Sequence, residues 1–111
     1  MKIAVIISSN NPETVWNAFR LANTSRSFDN EVSVFLLGQG VEAAQSSTLQ
    51  FDVLEQTRMF HESGGEIICC GVCCESRKAE MPYLLNDLSC GMGTMRQLYG
   101  LIAEADKVLT F

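Results

Sequence analysis

An α/β sandwich built on a parallel sheet is the fold class this chain predicts, and three observations predict it. Runs such as Ile3-Ala4-Val5-Ile6-Ile7 and, apart from Ser33, Val32 to Leu37 are apolar at consecutive rather than alternate positions, the mark of strands covered on both faces. Segments of helical periodicity lie between these runs, and strict interleaving of the two kinds favours parallel pairing through helical crossovers. Small polar residues, glycines or cysteines follow the strands, at the carboxyl ends where ligands gather in such sheets.

The elements follow in order. Ile3 to Ile7 is the first strand, closed by Ser8-Ser9-Asn10. Asn11-Pro12-Glu13 then opens a helix with an amide that can cap, a proline at the first helical position and an acid near the positive end of the dipole. Val15, Phe19 and Ala22, with Trp16, form its apolar face as far as about Ser25. Asp29-Asn30 is a turn, and Val32 to Leu37 is a second buried strand that Gly38-Gln39-Gly40 breaks. Val41 to Ala44 suits a short helical turn, and Gln45-Ser46-Ser47-Thr48 reads as a polar loop. Leu49, Val53 and Phe60 fall on one helical face with Gln56 between them, which predicts a helix ending at Ser63-Gly64-Gly65. A third strand enters through Gly64-Gly65 and carries Glu66-Ile67-Ile68 into cysteines.

Residues 75–80 suit a short helix or turn that Pro82 stops. A short strand is expected near Leu88-Ser89-Cys90, with Gly91 and Gly93 forming a turn after it. Met95, Leu98, Tyr99, Ile102 and Ala103 then describe an amphipathic helix, Asp106-Lys107 turns the chain, and Val108 to Phe111 is the last strand. No repeat, linker or low-complexity tract interrupts the pattern, so residues 1–111 are expected to form one domain. A chain of this length buries about 65% of the surface that its unfolded form exposes, enough for a core without disulfide staples.

Composition excludes several classes. The net charge is −5 and no basic stripe appears, which argues against a nucleic-acid partner. The first residues carry one charge and a short apolar run without a cleavage site, and no segment is long enough to span a bilayer. A cytoplasmic location with no membrane partner is expected, where thiols stay reduced and five cysteines are no disulfide framework.

Four of those cysteines occupy one hexapeptide, Cys69-Cys70-Gly71-Val72-Cys73-Cys74. Neighbours in a strand point to opposite faces. Cys69 therefore continues into the core as a small hydrophobe, while Cys70 stands where the strand ends and Gly71 permits a sharp turn. If residues 72–79 coil helically, Cys70 and Cys73 come within disulfide reach, roughly 5–6 Å between Cα atoms. Backbone N–H groups of that turn, with Arg77 and Lys78, would favour a thiolate, and Glu75 would oppose it. Ser9 and Asn10 could donate hydrogen bonds to an anion on the same rim, although they serve equally as a solvated, capping loop. Zinc needs four convergent ligands, and a second Cys-x-x-Cys is missing, so neither a metal nor any other cofactor is expected. Gly91-x-Gly93 lacks the Walker lysine, and one histidine, His61, without a visible partner disfavours a hydrolase.

The chain resembles the DsrE/DsrF-like family, and within it the small stand-alone YchN-like branch. The resemblance rests on Lys2 to Asn10, Phe19-Arg20-Leu21-Ala22, Val34-Phe35-Leu36-Leu37, Cys70-x-x-Cys73-x-x-x-Arg77, Gly93-Thr94 and Ala105 to Phe111. It implies a three-layer α/β/α sandwich on a mostly parallel sheet of about five strands, assembled as a homo-oligomer, a trimer or hexamer. Sulfur-relay members carry a persulfide on a cysteine at the position of Cys70. Cys73 departs from their single reactive cysteine by adding a dithiol partner, and Cys69, Cys74 and Cys90 are further thiols.

The function expected is therefore that of a sulfur-relay, sulfurtransferase-like protein. Cys70 acts as carrier and Cys73 as partner, Arg77, Ser9 and Asn10 stabilise anionic sulfur, and donor and acceptor proteins or small thiols are the partners. A thiol redox sensor or small-anion-binding module using a Cys70–Cys73 disulfide is the alternative, and a metal site is the least favoured. Tyr83, Leu84, Leu85, Met92, Met95 and Tyr99 exceed the apolar surface that one sheet face requires, which points to subunit contact.

Overall fold

The computed structural model describes residues 1–84 and 87–111. Five strands form one sheet in the order β4-β3-β2-β1-β5, comprising β1 (Lys2–Ile7), β2 (Glu31–Leu36), β3 (Glu66–Cys70), β4 (Gly91–Gly93) and β5 (Lys107–Thr110). Every neighbouring pair is parallel, with Val5 beside Val34, Phe35 beside Ile68 and Cys70 beside Gly93. Four helices connect them: α1 (Pro12–Ser27), α2 (Val53–Glu62), α3 (Gly71–Arg77) and α4 (Met95–Glu104).

The strand order dictates the layers. From β1 to β4 the chain steps always in one direction, so right-handed crossovers put α1 and α2 on the same face, where they pack on each other. The step from β4 back to β5 runs the other way across the sheet and leaves α4 on the opposite face, against β1. This is the three-layer α/β/α arrangement that the resemblance implies, on the parallel sheet that the alternation of strand and helix predicts.

The helices begin where local chemistry starts them. The Asn11 side chain accepts the Thr14 N–H at 3.0 Å, and Asp52 does the same for the Glu55 N–H. Thr94 and Gln97 form a reciprocal capping box at the start of α4. Between sheet and α1–α2, Phe19 meets Phe60 edge-on with ring centres 6.0 Å apart, and Val5, Val15, Val34 and Leu36 fill the space around them.

Four expectations are corrected. Leu49 lies before α2 and is fully exposed, because Asp52 caps the helix and fixes its start at Val53. Residues Gly38–Ser46 form a 3₁₀ segment, so Gln45 and Ser46 belong to it, and Ser46 is buried with its hydroxyl on the Ala43 carbonyl. The fourth strand is Gly91–Gly93 rather than Leu88-Ser89-Cys90. Gly93 is not turn punctuation: a Cβ there would lie 2.2 Å from Ile68 and 3.2 Å from Phe35. The missing side chain lets the edge strand pair closely with β3.

Candidate functional site

The carboxyl ends of β1, β2 and β3 are adjacent, and the segments that leave them meet on one rim. Gly38 turns the chain out of β2 with φ +56°, and Gly40 presses the 3₁₀ segment onto the end of β1. A Cβ on Gly40 would sit 2.0 Å from the Ile7 carbonyl oxygen, so only glycine allows this approach. The Gly38 N–H thereby reaches the thiol site, donating to Cys73 Sγ at 3.1 Å.

Cys70 is the last residue of β3 and the cap residue of α3, still in extended conformation at φ −60°, ψ 117°. Register places it on the α4 side of the sheet with Phe35 and Ile68, while Cys69 faces the α1 side with Leu36. Both are buried, Cys70 to 3% exposure. Cys73, one helical turn on, is half-buried, and Cys74 is buried beside it. The helical coiling expected after Gly71 is present, and Cys70 and Cys73 flank the first turn of α3.

Arg77 is placed differently from its expected task. Its Nε donates to Glu42 Oε2 at 2.8 Å and its Nη1 to the Cys73 carbonyl at 3.1 Å, which ties α3 to the 3₁₀ segment. The Glu42 carboxylate holds the guanidinium firmly charged. Glu42 escaped sequence reasoning because a carboxylate 35 positions away carries no local signal. Ser9 and Asn10 stay on the β1 end of the rim. Ser9 Oγ accepts the Asn11 N–H at 3.0 Å, and Asn10 lines a hollow of about 100 Å³ with Glu42, Gln45 and Ser46. A larger groove of about 230 Å³ runs from Cys74 past Lys78 and Pro82 to Met92.

The cysteines form a tighter cluster than their spacing implies. All five are free thiols. Cys69 donates its S–H to Cys90 Sγ at 2.9 Å. That hydrogen bond, then burial, holds the Cys69 proton far more firmly than an ordinary thiol does. The same bond lowers the pKa of Cys90, and burial raises that of Cys74. No group of three or more His, Cys, Asp or Glu side chains among the described residues is arranged to hold a metal ion. No helix among them is long and apolar enough to cross a membrane.

Comparison with known proteins agrees with this architecture. The uncharacterised protein MJ0989 of Methanocaldococcus jannaschii is 32% identical over 116 residues, covering the whole of both chains. The crystal structure of YchN from E. coli superposes with a TM-score of 0.81 at 24% identity, again over both full chains. The conserved protein of unknown function BT1422 from Bacteroides thetaiotaomicron gives 0.77 at 21%, covering 99% of this chain and 95% of its own. The family model described as DsrE/DsrF-like matches residues 1–111 from end to end, and the chain belongs to the DsrE/DsrF-like family.

Proposed function

We propose that the chain is a sulfur-relay protein that carries sulfane sulfur on Cys70, with Cys73 as its dithiol partner. The family is one associated with sulfur relay. The observation that carries the reading is the Gly38 N–H aimed at Cys73 Sγ, on a rim where Cys70 ends its strand. That backbone donor fixes the sulfur of the dithiol partner one helical turn from Cys70.

In the forward step the Cys70 thiolate attacks the outer sulfur of a hydropersulfide R–S–SH. The donor's S–S bond breaks, R–S⁻ leaves, and Cys70–S–SH remains. An acceptor thiolate repeats the attack on that outer sulfur and restores Cys70. Alternatively, the Cys73 thiolate attacks Cys70 Sγ, expels HS⁻ and closes a Cys70–Cys73 disulfide. At 3% exposure Cys70 shelters its cargo from water and favours small donors, whereas a protein donor meets Cys73 first. Arg77 supports this site through position: by gripping Glu42 and the Cys73 carbonyl it holds α3 against the segment that supplies the Gly38 donor.

Incubation with a small-molecule hydropersulfide and intact-mass analysis tests the assignment. Wild type gains a sulfur that dithiothreitol removes, Cys70→Ser does not, and Cys73→Ser gains it but releases it more slowly. Labile sulfur on Cys70→Ser to the wild-type extent overturns the role of Cys70.

Assembly belongs to the same reading. Leu98 and Leu101 turn α4 toward the sheet, while Met95, Tyr99 and Ile102 form a second apolar stripe that faces outward; Met92 and Tyr83 are exposed elsewhere on the chain. Leu84, by contrast, is internal, and Leu85 lies outside the described residues. We propose that this stripe packs against another copy of the chain. Light scattering at micromolar concentration checks it, and a particle of 12.2 kDa overturns it.

A further inference from the structure

A second pair of thiols meets away from the Cys70–Cys73 turn. Cys69 lies within the sheet at 0% exposure, on the α1 side, and Cys90 stands immediately before the edge strand β4, half-buried. The two are 21 positions apart in sequence, yet their sulfurs are 2.9 Å apart. A disulfide needs them to approach by only about a further 0.9 Å. One partner is reachable from outside and the other is held behind it, the order in which oxidisable thiol pairs work: the outer sulfur meets the oxidant and the inner one resolves the product. With Cys69 buried and Cys90 half-buried, the pair favours a small oxidant over a bulky disulfide.

We propose that Cys69 and Cys90 form a second redox site, a dithiol that hydroperoxides convert to an intramolecular disulfide, with Cys90 attacked first and Cys69 resolving. The Cys90 thiolate attacks one oxygen of a hydroperoxide R–O–OH. The O–O bond breaks, R–O⁻ leaves and takes a proton, and Cys90–S–OH forms. The Cys69 sulfur then attacks Cys90 Sγ and expels hydroxide, which takes the Cys69 proton and departs as water. Two electrons pass from the sulfur pair to the peroxide, giving one alcohol (or water, from hydrogen peroxide) and one water. The S–H that Cys69 donates to Cys90 also lowers the pKa of Cys90, so the outer sulfur ionises first.

The bridge clips both ends of the segment that contains Cys70, α3 and Cys73. Oxidation at this site therefore fastens the rim without consuming the thiols of the relay, and the inference does not depend on the relay reading. Cys74 also faces Cys69 and is the rival partner.

The test is hydrogen peroxide treatment of the full chain, alkylation of the remaining thiols, and non-reducing peptide mapping with fragmentation. With alkylation carried out in denaturant, the expected result is a crosslink of Cys90 to Cys69 in the wild-type map and, in the Cys70→Ser/Cys73→Ser double variant, the loss of two of the three remaining alkylatable thiols. The Cys70→Ser/Cys73→Ser double variant keeps this bridge and Cys90→Ala lacks it. In Cys69→Ala the oxidised Cys90 stalls as a sulfenic acid that dimedone traps. Alkylation of both Cys69 and Cys90 after peroxide, a bridge from Cys74 to either of them, or a bridge from Cys90 to a second chain overturns the proposal. The wild-type map decides alone if Cys69→Ala does not fold.

Discussion

The two faces of the sheet are built from alternate residues of the same strands, yet they differ in kind. On the α1–α2 face Ile3, Val5, Ile7, Val32, Val34, Leu36, Ile67 and Cys69 are all buried. On the α4 face the matching positions begin with Lys2, Glu31 and Glu66, all exposed, pass through Ala4 and the half-buried Ser33, and reach Ile6, Phe35, Ile68 and Cys70 only at the far end. Two helices, of 16 and ten residues, and the 3₁₀ segment cover the first face, whereas a single ten-residue helix crosses the second. The first face is finished within one chain. The second is finished only near the thiol rim and turns further apolar surface outward, with Tyr99 at 72% exposure. The difference teaches where the core is concentrated: the first face is buried along its whole length, and the second only toward the rim where Cys70 ends β3.

The contrast is broken most directly by truncating one aromatic on each side. Phe19→Ala empties a fully buried position and is expected to cost about 3–5 kcal/mol in urea denaturation. Tyr99→Ala should cost under about 0.5 kcal/mol within the chain and act instead on assembly, as a loss that depends on protein concentration. Equal, concentration-independent losses would mean that the second face is as finished as the first.

Locking Cys69 to Cys90 sharpens the comparison, because it ties the finished face to the edge strand. A closed loop of about 20 residues should raise stability by about 3 kcal/mol over the reduced chain, read as a higher urea midpoint after peroxide treatment. No gain would show that the segment between them is already fixed in the reduced protein.

Alkaline pH probes the buried thiols on their own. Burial holds Cys74 neutral above its ordinary value of 9.0, so the unfolded chain gives up this proton before the folded one does. The unfolded state then binds fewer protons and stability falls as pH rises, at a slope approaching about 1.4 kcal/mol per pH unit for each thiol so held. Cys69 acts in the same direction. Cys90, depressed by the Cys69 hydrogen bond, acts oppositely: its contribution is complete above 9.0 and is lost as pH falls through its folded value. Denaturation midpoints between pH 8 and pH 10, about the ordinary thiol range, should therefore decline in wild type and decline less in Cys74→Ala.

The smallest effect is expected at the rim. Glu42→Gln removes a partly exposed ion pair and should cost about 1 kcal/mol or less in overall stability. Its signature is local, in faster amide hydrogen exchange over residues 71–77, with the α1–α2 core unchanged.

The sequence alone was enough for the order of elements, because each element's start and stop is local chemistry: Asn11 with Pro12, the consecutive apolar residues of β1 and β2, Gly64-Gly65 before β3, and Thr94 before α4. It also located Cys70 at a strand end, with Cys73 one turn later. Where local signals conflict or vanish, it did not suffice. Leu49 matches a helical period but precedes the Asp52 cap, and β4 consists of Gly-Met-Gly, whose strand character comes wholly from pairing with β3. The partners of the thiols lay further beyond reach. Glu42 meets Arg77, Gly38 meets Cys73 and Cys90 meets Cys69 across 35, 35 and 21 positions. Periodicity reports only which face a residue takes; what stands opposite that face is decided when the strands take their order, and the chemistry of these cysteines was decided there.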